Sequence, residues 1–140
     1  MANSREVIIK YESYPNTDSL KRPTIKIKFN PQDKQSFSCL VDSGADCSIF
    51  PLSIGEKLEF DFSESDPLER PPQQMSGKME CKCYPKATSI YGPWGKEPVS
   101  LEILWADSNE INPVLGRRGF FDKFREVCFS EQRKELILRK

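Results

Sequence analysis

The stretch Leu40-Val41-Asp42-Ser43-Gly44-Ala45-Asp46 sets one carboxylate where an apolar run ends and a small-residue turn begins. Cys39, Leu40 and Val41 read as the end of a buried strand. Ser43 and Gly44 suit a tight turn, with Gly44 free to take a positive φ or to admit a close neighbour. A chain that folds this way buries the strand and presents Asp42 at the floor of a cleft, with backbone N–H groups of the turn fixing its direction. By itself the tripeptide says little, because most such turns are solvated. Its weight comes from a second stretch far downstream.

That stretch is Asn112-Pro113-Val114-Leu115-Gly116-Arg117-Arg118-Gly119-Phe120-Phe121. The strand end Val114-Leu115 runs into Gly116-Arg117, and Gly119 opens an aromatic helix. The order of strand, D-S-G-A-D turn, later strand and hydrophobic-hydrophobic-G-R-helix resembles that of retropepsin-like aspartic proteases, over residues 20–138. The two anchors lie further apart than in the compact viral enzymes, which implies an enlarged loop. The resemblance implies an all-β fold, a partly closed barrel with one or two short helices, forming half of a symmetric dimer. In that family two identical subunits each supply one D-T/S-G turn, and the two aspartates activate a water between them.

Length and composition agree with this reading. At 140 residues the chain is expected to be a single domain, 1–140. A chain of this size buries about two-thirds of its extended surface, enough for a core without metals or disulfides. It is too short to carry both halves of a bilobal enzyme. The other Asp-Ser pair, Asp107-Ser108, is followed by Asn109 rather than glycine, so no second turn of this kind is visible. An aspartic protease built from this chain must therefore be a homodimer.

Histidine is absent, which removes most metal sites and every Ser-His or Cys-His nucleophile. Among hydrolytic mechanisms, the one needing only carboxylates and water survives best, with no metal and no cofactor. Cys39, Cys47, Cys81, Cys83 and Cys128 are odd in number and scattered, and read as free thiols. Cys81 and Cys83 would share one strand face, a poor zinc arrangement without a second ligand pair. Basic and acidic residues balance at 21 each, so nothing pushes the chain toward nucleic acid or an anionic membrane. The basic tail from Gly116 is mixed with acids and reads as a solvated face. No apolar stretch is long enough to span a bilayer and the N-terminus is polar, so the expectation is a cytoplasmic protein.

Residues 5–11 read as a first strand. Thr24-Ile25-Lys26-Ile27-Lys28-Phe29 alternates strictly, and 36–41 returns beside it after a turn at 30–34, which aims Asp42 from the tip of a hairpin. A short helix is expected over 51–58, with Pro51 in its first turn. Acids, prolines and glutamines across 59–76 mark a long mobile loop. A second hairpin has strands near 82–91 and 97–105, with Trp94 on the surface of its turn and Trp105 in the core. Residues 120–125 read as a helix whose phenylalanines are core, and 126–129 with 135–138 as a last hairpin.

The resemblance also implies roles. Asp42, Ser43 and Gly44 form the catalytic turn, and Ser43 replaces the commoner threonine, keeping the hydroxyl that bonds across subunits but losing a packing methyl. Gly77, in a segment near 75–79, matches the flap glycine that folds over a bound peptide, with Lys78 in place of a second glycine. A polypeptide substrate would lie as an added strand between this flap and the floor, against Gly44, Ala45, Asp46, Gly77 and Lys78. Asp46 and Arg117 are expected to form a salt bridge beneath the cleft, with Gly116 beside them as structural support. Terminal strands of both subunits interleave in the family, which makes 135–138 and 7–9 candidates for the interface. The competing reading is a catalytically silent module of the same fold that binds peptide or serves assembly, and the acidic loop, Lys78 and Ser43 lean that way.

Overall fold

The computed structural model describes residues 5–13, 20–63, 65–68, 73–74, 77–78, 81–108 and 110–140, and these are mostly strand and turn. Strand β1 (Glu6–Lys10) is followed by the short pieces β2 (Glu12–Ser13) and β3 (Lys21–Arg22), then by β4 (Thr24–Ile27), β5 (Phe37–Val41) and β6 (Ser48–Pro51). Helix α1 (Leu52–Lys57) comes next, then β7 (Gln73–Gln74) and β8 (Gly77–Lys78). The long pair β9 (Cys83–Ile90) and β10 (Val99–Ala106) is followed by β11 (Val114–Leu115), one 3-10 turn at Phe121–Lys123, β12 (Glu126–Ser130) and β13 (Glu135–Arg139).

The alternation in β4 does what period two requires: Ile25 and Ile27 are buried and Lys26 is exposed. Strand β5 returns antiparallel to β4, with Thr24 opposite Leu40. The main sheet runs β4-β5-β11-β6-β10-β9. Its centre is mixed, since β11 lies parallel to β5 and antiparallel to β6, while β6 lies parallel to β10. The sheet curls until Lys28 and Tyr91 exchange two main-chain hydrogen bonds of 2.9 and 2.8 Å, joining its two edges at one point without closing a barrel. A second sheet, β1-β13-β12, packs Leu136 and Leu138 into the same core as Ile25, Ile27 and Trp105.

Several expectations need correction. The helix expected at 120–125 is only the 3-10 turn, because Phe124 is already extended toward β12 and the main chain at Phe121 and Asp122 bonds back to Gly116 and Arg117. Trp94 is buried rather than superficial. Its indole N–H donates to the Glu97 carbonyl at 3.0 Å, and its ring meets Phe120 and Phe124 edge-on. The stretch 59–76 begins anchored, with Phe60 and Phe62 both packed on Trp105. Within it, residues 64, 69–72 and 75–76 lie outside the described residues. Cys81 precedes β9 rather than standing in it, with its side chain still beside that of Cys83. Helix α1 starts at Leu52, with Pro51 ending β6 as the extended residue before the helix rather than standing in its first turn. No helix among the described residues is long and apolar enough to cross a membrane.

Candidate active site

Strand β5 delivers Asp42 at its C-terminal end, and β11 holds it there. The Leu40 N–H donates to the Pro113 carbonyl and the Asp42 N–H to the Leu115 carbonyl, both at 3.0 Å, which carries the parallel pairing one residue past the strand. The chain then turns, with the Ala45 N–H returning to the Asp42 carbonyl at 3.1 Å. Inside this turn the Gly44 N–H donates to Asp42 Oδ1 at 2.8 Å. A short carboxylate bonding a backbone N–H two residues on is the local chemistry that favours aspartate at such a turn. Its effect is to fix one carboxylate oxygen, with Asp42 half-buried, Ser43 exposed and Ala45 buried. Gly44 is not among the positive-φ glycines, which are Gly95 and Gly119, so its value lies in the N–H it presents.

The downstream motif is fastened to the same turn. The Arg117 N–H donates to the Ala45 carbonyl at 2.9 Å and the Arg118 N–H to the Asp46 carbonyl at 2.8 Å. The Gly116 N–H donates to Ser48 Oγ at 3.0 Å in a buried setting. A Cβ at residue 116 would stand 2.3 Å from the Cys47 carbonyl oxygen and 2.9 Å from that of Ala45, and neither is a flexible side chain that could swing away. Only glycine lets these two segments lie so close.

Asp42, Ser43, Gly44, Ala45 and Asp46 thus form one unit with Gly116 and Arg117. The manner of support differs from the expected salt bridge. Among the described residues the ion pairs join Lys26 to Glu12, Lys134 to Glu131, and Arg139 to Glu6 and Glu126; none joins Asp46 to Arg117. Both side chains are exposed, and main-chain bonds make the connection instead. Gly77 and Lys78 belong to a separate pairing, Gln73 opposite Lys78 and Gln74 opposite Gly77; residues 75, 76 and 79 of the expected flap lie outside the described residues.

Ser48 was missed. It is fully buried in β6, and its hydroxyl accepts the one N–H that the close approach at Gly116 leaves without a carbonyl. The available signal was a lone hydroxyl directly before the apolar Ile49-Phe50-Pro51. Burial pushes the thiol of Cys47 beside it up, against a smaller opposing pull from Arg118. No group of three or more potential metal ligands occurs among the described residues.

No family model and no curated protein matches this chain. Among solved structures it is similar to a crystal structure of a retropepsin-like aspartic protease from Rickettsia conorii, with a TM-score of 0.63 and 19% sequence identity. The likeness covers 97% of this chain and 91% of that one. At that identity it establishes the fold: this is a retropepsin-like, all-β chain.

Proposed function

We propose that the chain is a homodimeric aspartic endopeptidase whose water is activated by two Asp42 carboxylates, one from each copy. The observation that carries this reading is the fixed Asp42 carboxylate, bonded at 2.8 Å by the Gly44 N–H in a turn tied to Gly116 and Arg117. The 140 residues hold one such turn, so the second acid comes from a second copy.

Two carboxylates about 3 Å apart cannot both ionise cheaply, and the pair shares one proton. The ionised oxygen takes a proton from water as the water's oxygen attacks the scissile carbonyl carbon. The protonated partner gives its proton to the carbonyl oxygen, so that a neutral tetrahedral diol forms. The first carboxyl then passes the proton it took from water to the amide nitrogen as the C–N bond breaks, and the partner carboxylate takes one back from a diol hydroxyl, leaving the acid product and the pair with its one shared proton. Such positioned acid–base work is worth ~10²–10⁴-fold. Activity belongs to the pair, so its pH profile should show two macroscopic pKa values. The Gly44 carbonyl and the Asp46 N–H would take the peptide as an added strand, with the small Gly44 and Ala45 letting its backbone lie close, and Gly77 with Lys78 would cover it and exclude bulk water. The exposed Ser43 hydroxyl would bond across the two-fold axis.

The test is cleavage of a denatured protein mixture at mildly acid pH by the wild type and by Asp42→Asn, with and without a pepstatin-like inhibitor. The wild type is expected to cleave and to be inhibited, and the variant to lose at least about 100-fold. Equal cleavage by the two proteins would leave the silent peptide-binding module as the better reading.

A further inference from the structure

The face of β4 turned away from the core carries an open cavity of about 630 Å³, inside the range of about 300–1,000 Å³ typical of small-molecule sites. Alternation puts Thr24, Lys26 and Lys28 on this face, opposite buried Ile25 and Ile27, and all three border the cavity. Lys96 reaches it from the turn after Tyr91, and Glu12 is the acid on its wall, 3.9 Å from Lys26. Three ammonium groups thus face one carboxylate. Ile9 and Pro93 add apolar surface.

Thr24, 3% exposed, closes the wall of the cavity beside Lys26. Asp42 does not border this cavity.

We infer that the cavity is a second ligand site, separate from the Asp42 turn, for an amphipathic organic anion: a carboxylate or phosphomonoester on a short apolar body. The headgroup lies among Lys26, Lys28 and Lys96, whose compact charges suit such oxygens and whose field the concave walls concentrate. The apolar body rests on Ile9 and Pro93.

The test titrates the full chain by calorimetry at physiological ionic strength with octanoate, octyl phosphate, octanol and inorganic phosphate. The two amphipathic anions are expected to bind saturably at one site per chain, and octanol and inorganic phosphate at least about tenfold more weakly. The double variant Lys28→Glu/Lys96→Glu should lose about tenfold or more for the anions while its thermal unfolding stays unchanged. Ser36→Trp, an exposed position at the cavity rim, should block all four probes. Octanol binding as well as octanoate, inorganic phosphate matching octyl phosphate, anion binding undiminished in the lysine variant, or no saturable binding by either amphipathic anion would each overturn the site.

Discussion

Gly116 and Ser48 show how much of the Asp42 turn rests on single atoms. A methyl at 116 has nowhere to go, because the obstacle at 2.3 Å is the Cys47 carbonyl. Gly116→Ala is therefore expected to lower the unfolding free energy by about 3 kcal/mol, the upper end of ordinary overpacking. Ser48→Ala leaves the buried Gly116 N–H without its acceptor and should cost about 1–3 kcal/mol. Urea unfolding of both variants checks this, and a Gly116→Ala protein as stable as wild type would contradict the close approach.

A different single bond governs the response to alkali. The Tyr11 ring is buried, and its hydroxyl donates to Glu131 Oε1 at 3.0 Å. Burial, then the bond to Glu131 and its charge, push the phenol up to about 12 from an ordinary 10.0. A raised phenol contributes stability that is complete below pH 10 and is lost as pH rises toward about 12. The Glu131 carboxyl moves the other way, held low by the Lys134 ammonium and then by Tyr11, so its share is present above the ordinary carboxylate value and fades as pH falls below it. Tyr11→Phe should flatten the alkaline decline, read as urea midpoints across pH 10–12. A decline of equal slope in both proteins would assign it to other groups.

At the scale of elements, aromatic rings rather than hydrogen bonds seat α1. Phe62 folds back over the helix, and a Cβ on Gly55 would come within 2.7 Å of its ring and 3.1 Å of Trp105. Gly55→Ala should cost about 1–2 kcal/mol despite the better helix propensity of alanine. In a Phe62→Ala background that cost should fall by about 1 kcal/mol, a coupling that a double-mutant cycle measures. Strict additivity would mean the two residues do not collide. Phe60 and Phe62 were hard to read as core because acids and prolines surround them, and no period of two or 3.6 marks them out. Strand β4 was easy for the opposite reason, since Thr24–Phe29 alternates without a break, and its partner β5 follows after one short turn.

For the whole molecule, the arrangement of strands narrows how two copies could meet. Strand β13 lies between β1 and β12, so both of its edges are already paired within the chain. Strands 135–138 of two copies therefore cannot interleave in this arrangement, and a partner strand can add only beside β1 or β12. Ile8, 55% exposed on β1, is the apolar residue best placed for such a contact. On the proposed dimer, Ile8→Glu should raise the dissociation constant at least about tenfold while the monomer stays folded, as read by sedimentation and thermal unfolding. A wild-type chain sedimenting strictly as a monomer at micromolar concentration would leave each Asp42 without its partner acid.

What the sequence determined by itself was local. Alternation set β4, an apolar run after a short turn set β5, a small-residue turn set the bond from Gly44 to Asp42, and the paired motifs set the expectation of a retropepsin-like all-β fold. Tertiary structure decided what depends on residues far apart in the chain: the parallel register of β5 with β11, the Ser48 hydroxyl under Gly116, the burial of Trp94 beneath Phe120 and Phe124, and the enclosure of β13 on both edges. Side-chain period and turn chemistry act over a few residues, whereas a close approach or a shared edge exists only once separate segments have packed together.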